Sequence, residues 1–355
     1  MRNPSSIKGR GSSSNPKNRF ETVEFIPEPL DVDEVCSPVT EFLPDSSKGI
    51  IAYNDSPDVG FDASINPYRG CEHGCVYCYA RPTHEYLGFS AGLDFETKIL
   101  VKERAAELLR KELSDPKWKP RVLAMSGVTD CYQPVEKKLE LTRRCLEVLL
   151  EFRNPVVIVT KNFLVTRDID LLSELARTQC AAVFISLTTL DPKLSAAMEP
   201  RASRPARRLE AISALSRAAI PVGFLLAPMI PALTDSEAPA IAQAAAQAGA
   251  RFAGYVPLRL PHAVKALFED WLERHYPEKK KKILNRIRAI RGGRLNDPNF
   301  HSRMRGEGIF AEQMAELFRL ACKKAGIEER SPRLSTEHFL RRPADSQLAL
   351  FDAQP

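Results

Sequence analysis

The chain has 355 residues, of which 44% are hydrophobic and 27% charged, a balance that excludes an intrinsically disordered protein and leaves room for a sizeable core. Its 51 Lys and Arg against 45 Asp and Glu give a formal charge of +6, which permits an anionic partner without naming one, and an ordinary solvated surface fits as well. No apolar run is long enough for a membrane span and the N-terminus lacks the apolar segment of a secretory signal, so no membrane partner is expected and the expected location is cytoplasmic.

The first twenty residues, MRNPSSIKGRGSSSNPKNRF, contain five basic residues and no acidic one. They cannot build a core, and residues 1–20 are expected to form a basic disordered tail. From 21 to 60 short apolar groups are interrupted by Pro and Asp, which predicts an extended arm over the main domain. A regular alternation then occupies 61–262. It starts with a short strand at Ser64 to Asn66 and the stretch NPYRGCEHGCVYCYARPTHEYLG, Asn66 to Gly88, which holds Cys71, Cys75 and Cys78. Asp94 can cap a helix to about Leu113, with Ile99, Ala105, Leu108 and Leu109 on its apolar face.

Strands are predicted at 121–127 (RVLAMSG), 155–161 (PVVIVTK), 181–187 (AAVFISL), 221–228 (PVGFLLAP) and 252–258 (FAGYVPL). Helices between them run from about Val135 to Phe152, Ile169 to Ala176, Ala206 to Ala218 and Ser236 to Ala248. The strands are continuous apolar runs rich in β-branched residues, as expected where helices cover the outer face of a parallel sheet. Six βα units over about 200 residues fit a partial (β/α)6 TIM-type barrel of the α/β class, with polar residues such as Thr129, Asp130, Lys161, Thr188 and Arg259 just after strands, where such folds place chemistry. A doubly wound sheet has the same local pattern.

Residues 263–328 are expected to form a helical, basic extension. Trp271 falls at a core position of AVKALFEDWLERHY, EKKKKILNRIRAIRGG is a basic helix ended by Gly292 and Gly293, and a last helix from about Phe310 to Ala325 carries Cys322. The basic helix can contact phosphates or simply be solvated. From 329 to 355 Pro, Ser and Arg accumulate and a low-order tail is expected.

The other cysteines, Cys36, Cys131, Cys145, Cys180 and Cys322, are scattered, which is unlike a disulfide framework and suits a reducing compartment. The spacing of Cys71, Cys75 and Cys78 lets one segment wrap a metal site, with Gly70 and Gly74 for the tight backbone. Zinc would normally ask for a fourth protein ligand, for which His73 and His84 are the nearest candidates. The alternative is a cubane of four irons, three of them bound by these cysteines and the fourth left open. An open metal position belongs to chemistry.

The C-x3-C-x2-C spacing, with Tyr77 before the last Cys, resembles the cluster motif of the radical S-adenosylmethionine (radical SAM) superfamily. The stretches LDFETKI, TDxYQPVE, VTKN, MEPR, GYVPLRLP and RMRG extend the resemblance from about Lys8 to Lys324, toward an uncharacterised bacterial subgroup distantly similar to spore photoproduct lyase. The resemblance implies a 4Fe–4S cluster on Cys71, Cys75 and Cys78, with S-adenosylmethionine on the open iron. It also implies reductive cleavage of that cosubstrate to a 5′-deoxyadenosyl radical that abstracts hydrogen, and an electron donor such as flavodoxin or ferredoxin.

Position by position, Tyr77 matches the motif, and Tyr79 matches an aromatic near the adenine or serves as core or lid. Thr129 falls where the lyase has a Ser near the cosubstrate, with Asp130 as acidic neighbour. Lys161 matches a cation that can pair with the methionyl carboxylate, Ser186 a polar residue at the fourth strand end, and Ala227 a backbone contact for adenine. Glu199 and Arg201 bind cosubstrate or cap each other. One departure matters: where the lyase has a hydrogen-donating Cys, this chain has Gly127, which disfavours thymine-dimer-type repair. Cys131, four residues on, is a local core thiol or a replacement donor.

The expected function is therefore a radical SAM enzyme acting on an unidentified substrate, possibly nucleic acid given the basic tail and the basic helix. The competing expectation is a nucleic-acid-binding protein whose metal is structural.

Overall fold

The computed structural model describes residues 7–21, 38–329 and 332–342. Cys36 and most of the expected arm, 22–37, lie outside the described residues. Ten strands occur among them: β1 (Glu41–Pro44), β2 (Ile51–Tyr53), β3 (Ala63–Ile65), β4 (Tyr68–Arg69), β5 (Lys98–Val101), β6 (Leu123–Met125), β7 (Val156–Thr160), β8 (Ala181–Ser186), β9 (Val222–Met229) and β10 (Phe252–Pro257).

The main sheet has the order β10-β9-β8-β7-β6-β3-β2. From β3 through β10 its neighbours are all parallel, and β2 is added antiparallel on the β3 edge. The six parallel strands follow one another in chain order, without the reversal that marks the switch point of a doubly wound sheet. Every residue of β8 is buried, which is why its sequence reads as an unbroken apolar run. The chain is thus a mixed α/β fold with a parallel sheet and helices.

Helices Leu141–Phe152, Ile169–Arg177, Pro205–Arg217 and Ala238–Ala248 return the chain between strands and bury Leu146, Leu149, Leu172, Leu175, Ile212 and Ile241 in one core with the sheet. Trp271 is fully buried and donates Nε1–H to the Ala197 carbonyl at 3.0 Å. It belongs to a second core that joins helices Val264–His275 and Pro277–Ala289 to Cys75, Val76 and Tyr77. The C-terminal helices therefore pack directly on the cysteine loop.

Two expected helices are interrupted. The one expected over 94–113 is a short helix Leu93–Thr97, then β5, then a helix Ala105–Ser114. Ile99 and Val101 are buried while Lys98 and Leu100 are half-buried, a period of two that serves β5 between β1 and β4. The helix expected over 135–152 breaks at Glu140, whose φ of 51° is left-handed. Glu136 is held fully buried by Tyr68 Oη at 2.5 Å and Arg167 Nη2 at 2.8 Å, which fixes the turn before the break.

Both expected tails also need correction. Residues 7–20, part of the expected disordered tail, pack against the cysteine loop and its neighbours largely through polar contacts, with Phe20 also stacked on Tyr86 at 4.8 Å between ring centroids, and composition carries no sign of these. Residues 332–342 are also placed: Arg341 Nη2 donates to the Trp118 carbonyl at 2.7 Å and Phe339 packs on Phe152 with ring centroids 6.1 Å apart. No helix among the described residues is long and apolar enough to cross a membrane.

Candidate active site

The cysteine loop leaves β4 through Gly70 and turns at Gly74, whose φ of +67° suits glycine. Its main chain is tied down at several points: Cys71 N–H donates to the Phe95 carbonyl at 2.9 Å, Glu72 N–H to Gln133 Oε1 at 2.9 Å and Val76 N–H to the Met198 carbonyl at 3.0 Å. Cys71 and Cys75 are buried and Cys78 is half-buried. Burial pushes all three thiols up, Cys75 to about 12, and the thiols raise one another further by charge, as Cys71 feels Cys75 and Cys78. Cys78 packs against both the apolar cluster that contains Cys75 and the one that contains Cys71.

Around them stand the ends of the parallel strands. After β6, Asp130 is fully engaged: Oδ1 accepts Thr160 Oγ1 at 2.7 Å and Tyr132 N–H at 2.9 Å, and Oδ2 accepts Lys161 N–H at 2.8 Å. Burial raises its pKa, but His73 beside it and these donors outweigh burial and hold the carboxyl at about 2. Asp130 thus fixes the end of β7, from which the Lys161 ammonium stands 5.9 Å from the centroid of the Tyr77 ring. Lys161 lowers the Cys75 and Cys78 thiols and the Glu199 carboxyl by charge.

Ser186 is buried at the end of β8, and its carbonyl accepts Arg208 Nη1 at 3.0 Å. Ala227 is half-buried near the end of β9. Glu199 is buried and accepts hydroxyls from Tyr77 and, at 2.7 Å, from Thr188. It pairs with Arg208, so the expected Glu199–Arg201 partnership is replaced. Arg201 instead meets Glu72 Oε1 at 3.0 Å, bracing the cysteine loop from outside. Thr129 Oγ1 donates to the Tyr68 carbonyl at 3.0 Å, so that hydroxyl holds β4. Tyr79 is exposed, with its hydroxyl donating to the Gly127 carbonyl at 2.8 Å and the Arg259 guanidinium 5.6 Å from its ring centroid.

The two histidines considered as zinc ligands are used elsewhere. His73 Nε2 is 3.2 Å from Asn162 Nδ2, and its Nδ1 lies 3.3 Å from Asp130 Oδ2, an electrostatic contact outside hydrogen-bond geometry. His84 Nε2 is 2.9 Å from the Lys98 carbonyl. Among the described residues no three His, Cys, Asp or Glu side chains converge on a single ion. A cubane cluster puts each thiolate on a different iron, so its ligands need not meet at a point; three thiols on one short loop, with the Lys161 ammonium acting by charge on Cys75 and Cys78, fit that group. Cys131 is fully buried in the main core. Surface clefts of about 480 and 680 Å³, lined by Asn54, Phe61 and Val122 and by Asp58, Tyr255 and Met304, contain no cysteine-loop residue.

The sequence analysis missed several residues. Glu72, Gln133, Arg208, Arg81 and Glu96 fasten the loop and its surroundings, yet each resembles ordinary surface polarity along the chain. Gln133 and Arg208 owe their place to tertiary closure, whereas Thr188, named from its position after a strand, joins them by donating to Glu199.

The sequence profile of the radical SAM superfamily matches residues 65–245, from β3 to beyond β9. This chain belongs to the radical SAM superfamily. An uncharacterised protein of Mycobacterium tuberculosis is 36% identical over 248 residues, covering 69% of this chain and 72% of that one. An uncharacterised protein of Methanocaldococcus jannaschii is 28% identical over 222 residues, 62% of this chain and 79% of the other. Spore photoproduct lyase complexed with dinucleoside spore photoproduct superposes with a TM-score of 0.59 at 15% identity over 81% of each chain. A mutant of that lyase, with bound AdoMet and the same dinucleoside, also gives 0.59 at 15% identity, over 81% of this chain and 80% of that one. These likenesses at low identity establish a shared fold. The chain is a radical SAM enzyme. Enzymes of this superfamily use a 4Fe–4S cluster and S-adenosylmethionine, and they need a reductant.

Proposed function

We propose that Cys71, Cys75 and Cys78 hold a 4Fe–4S cluster and that S-adenosylmethionine binds over it, among the ends of the parallel strands. The observation that carries this reading is the packing of half-buried Cys78 against the clusters that hold buried Cys71 and Cys75, with the Lys161 ammonium acting by charge on Cys75 and Cys78. When bound, cluster and cosubstrate together supply a 5′-deoxyadenosyl radical able to remove hydrogen from a substrate. Lys161 would pair with the methionyl carboxylate, and its ammonium forms no ion pair among the described residues. Ser186 and Ala227 would line the cosubstrate from β8 and β9. Tyr77, held by Glu199 and Thr188, would wall the cluster side.

Asp130, Thr129 and Glu199 act in this reading as positioning groups whose polar atoms are already occupied by protein. Tyr79 and Arg201 stand at the edge, where Tyr79 can cover the adenine. The six parallel strands would form the wall of a partial (β/α)6 barrel over 61–262, with the helices of 263–328 as its extension.

For the substrate we favour nucleic acid. Exposed Tyr79, Phe20 and Phe300 carry arginines at stacking distance: Arg259 lies 5.6 Å from the Tyr79 centroid, Arg19 5.0 Å from Phe20 and Arg303 4.4 Å from Phe300. Aromatic faces and guanidinium groups together suit unstacked bases and a phosphate backbone. An acidic one-electron carrier such as flavodoxin or ferredoxin would deliver the electron, and a cytoplasmic setting would keep the cysteines out of disulfides, leaving Cys71, Cys75 and Cys78 available to the cluster. A structural-metal protein is the weaker reading, because His73 and His84 are both engaged away from the cysteines.

The test is anaerobic reconstitution with iron and sulfide, then dithionite and S-adenosylmethionine. The expected result is a brown protein with about four irons per chain that forms 5′-deoxyadenosine. A colourless protein loaded with zinc would overturn the proposal.

A further inference from the structure

Residues 10–20 run against the cysteine loop and its neighbours as a strap, and two successive amides of it meet on one carboxylate. Glu96 is fully buried and accepts the N–H of Gly11 at 3.0 Å and that of Ser12 at 2.9 Å. The same carboxylate takes Arg81 Nη2 at 2.5 Å. Arg81, itself fully buried, donates Nε–H to the Cys75 carbonyl at 3.0 Å and Nη1–H to the Ala91 and Gly92 carbonyls at 3.2 and 2.9 Å. The path from strap to metal-binding loop is therefore continuous: strap N–H, Glu96, Arg81, Cys75.

The strap also touches the loop directly. A Cβ on Gly11 would come 1.8 Å from the Gly74 carbonyl oxygen, so the two backbones meet where only glycine fits. Farther along, Ser13 Oγ donates to Asp270 Oδ2 at 2.8 Å, Asn15 exchanges hydrogen bonds with Asp94, and Asn18 Nδ2 donates to the Glu85 and Phe89 carbonyls, both at 2.9 Å. Arg19 closes the strap on Glu85 at 2.7 Å.

If the strap lifted, Glu96 would lose two of its donors while the carboxylate stayed buried, and unmet acceptors in a buried site are costly. Strap, Glu96, Arg81 and loop are thus expected to order as one polar network. We propose that Glu96 is a positioning residue through which the strap of residues 10–20 locks the cysteine loop in its ligand-holding geometry. This inference rests on the assignment of Cys71, Cys75 and Cys78 as cluster ligands.

The experiment compares full-length wild type with Gly11→Ala, which displaces the strap and leaves Glu96 and Arg81 intact, and with Glu96→Gln. Hydrogen exchange of the amides of residues 71–79 is followed in metal-free protein. Iron release to a ferrous chelator is followed after anaerobic reconstitution. In Gly11→Ala both should accelerate about tenfold, the effect of losing one hydrogen bond to a charged group, while exchange in β7 and β8 stays at the wild-type rate. Glu96→Gln should act in the same direction, and if it does not fold, Gly11→Ala decides alone. Loop exchange equal to wild type in Gly11→Ala would overturn the strap's role, as would equal acceleration in β7 and β8. Wild-type protein that takes up no iron would instead overturn the ligand assignment.

Discussion

Arg208 Nη2 meets Glu199 Oε2 inside the protein, with no more than 1% of either side chain exposed. Burial alone would raise the Glu199 pKa, but Arg208 and then Lys161 outweigh it and hold the carboxyl at about 2. Removing Arg208 leaves a buried carboxylate without its counter-ion. Arg208→Met is therefore expected to cost about 3–5 kcal/mol in denaturant unfolding of the metal-free chain. The double variant Glu199→Gln with Arg208→Met should recover part of that loss, which a double-mutant cycle measures. Purely additive losses would show that the two groups do not act as a pair.

The cysteine assignment predicts a specific defect. Cys71→Ala removes a buried thiol at the first turn of the loop, and the variant should fold yet fail to reach the wild-type iron content of about four per chain. Its visible absorption after reconstitution and its yield of 5′-deoxyadenosine should both collapse. Full iron and full cleavage in this variant would remove Cys71 from the ligand set.

Legibility along the chain followed burial. β6 to β10 could be placed from sequence because strands covered on their faces become short apolar runs, as the wholly buried AAVFIS of β8 shows. β5 could not, since its alternation over Lys98–Val101 is only 4 residues long and runs straight on into the helical spacing of Ala105, Leu108 and Leu109; pairing with β1 and β4 makes it a strand. In the candidate site, the cysteines announced themselves by spacing and Lys161 by its place after a strand. Glu96, Arg81, Glu199 and Arg208 did not, because a charge buried by a partner far away in sequence looks like any surface charge. The same reason hid the order of residues 7–21, most of whose contacts are hydrogen bonds to distant carboxylates and carbonyls.

His84 predicts a pH dependence. It is buried against Phe89 and Phe95 with Nε2 on the Lys98 carbonyl, and burial lowers its pKa from 6.5 to about 4. Above pH 6.5 the ring is neutral folded or unfolded and adds no pH dependence. As pH falls from 6.5 toward 4, the unfolded chain takes up a proton that the folded chain refuses, so stability declines, by about 3 kcal/mol in all. Unfolding free energies of wild type and His84→Gln measured at pH 7 and pH 4.5 should converge at the lower pH. A constant difference between them would exclude this origin.

The aromatic and arginine rim separates two kinds of nucleic-acid contact. Tyr79→Ala and Arg259→Ala should each weaken binding of a single-stranded oligonucleotide about tenfold through lost stacking and cation–π contact. Neutralising Lys279 to Lys282 should instead flatten the salt dependence of binding, as expected of phosphate contacts. Fluorescence anisotropy over a salt series distinguishes the two. Unchanged affinity in the rim variants would point to another substrate class.

Lys161 offers the most direct test of cosubstrate placement. Its backbone N–H is fixed by Asp130 at 2.8 Å, so truncating the side chain should leave the end of β7 where it is. Its ammonium lies beside the Tyr77 ring, within electrostatic reach of Cys75 and Cys78. A charge-assisted bond to a carboxylate contributes about 1.5–3 kcal/mol, so Lys161→Ala should bind S-adenosylmethionine at least about tenfold more weakly while keeping its iron. Lys161→Arg should recover part of the loss, because charge is restored on a different geometry. Isothermal titration under anaerobic conditions, with iron counted on the same samples, reads both quantities. Equal affinity in wild type and Lys161→Ala would take this residue out of the site and leave Ser186 and Ala227 to account for cosubstrate binding from β8 and β9.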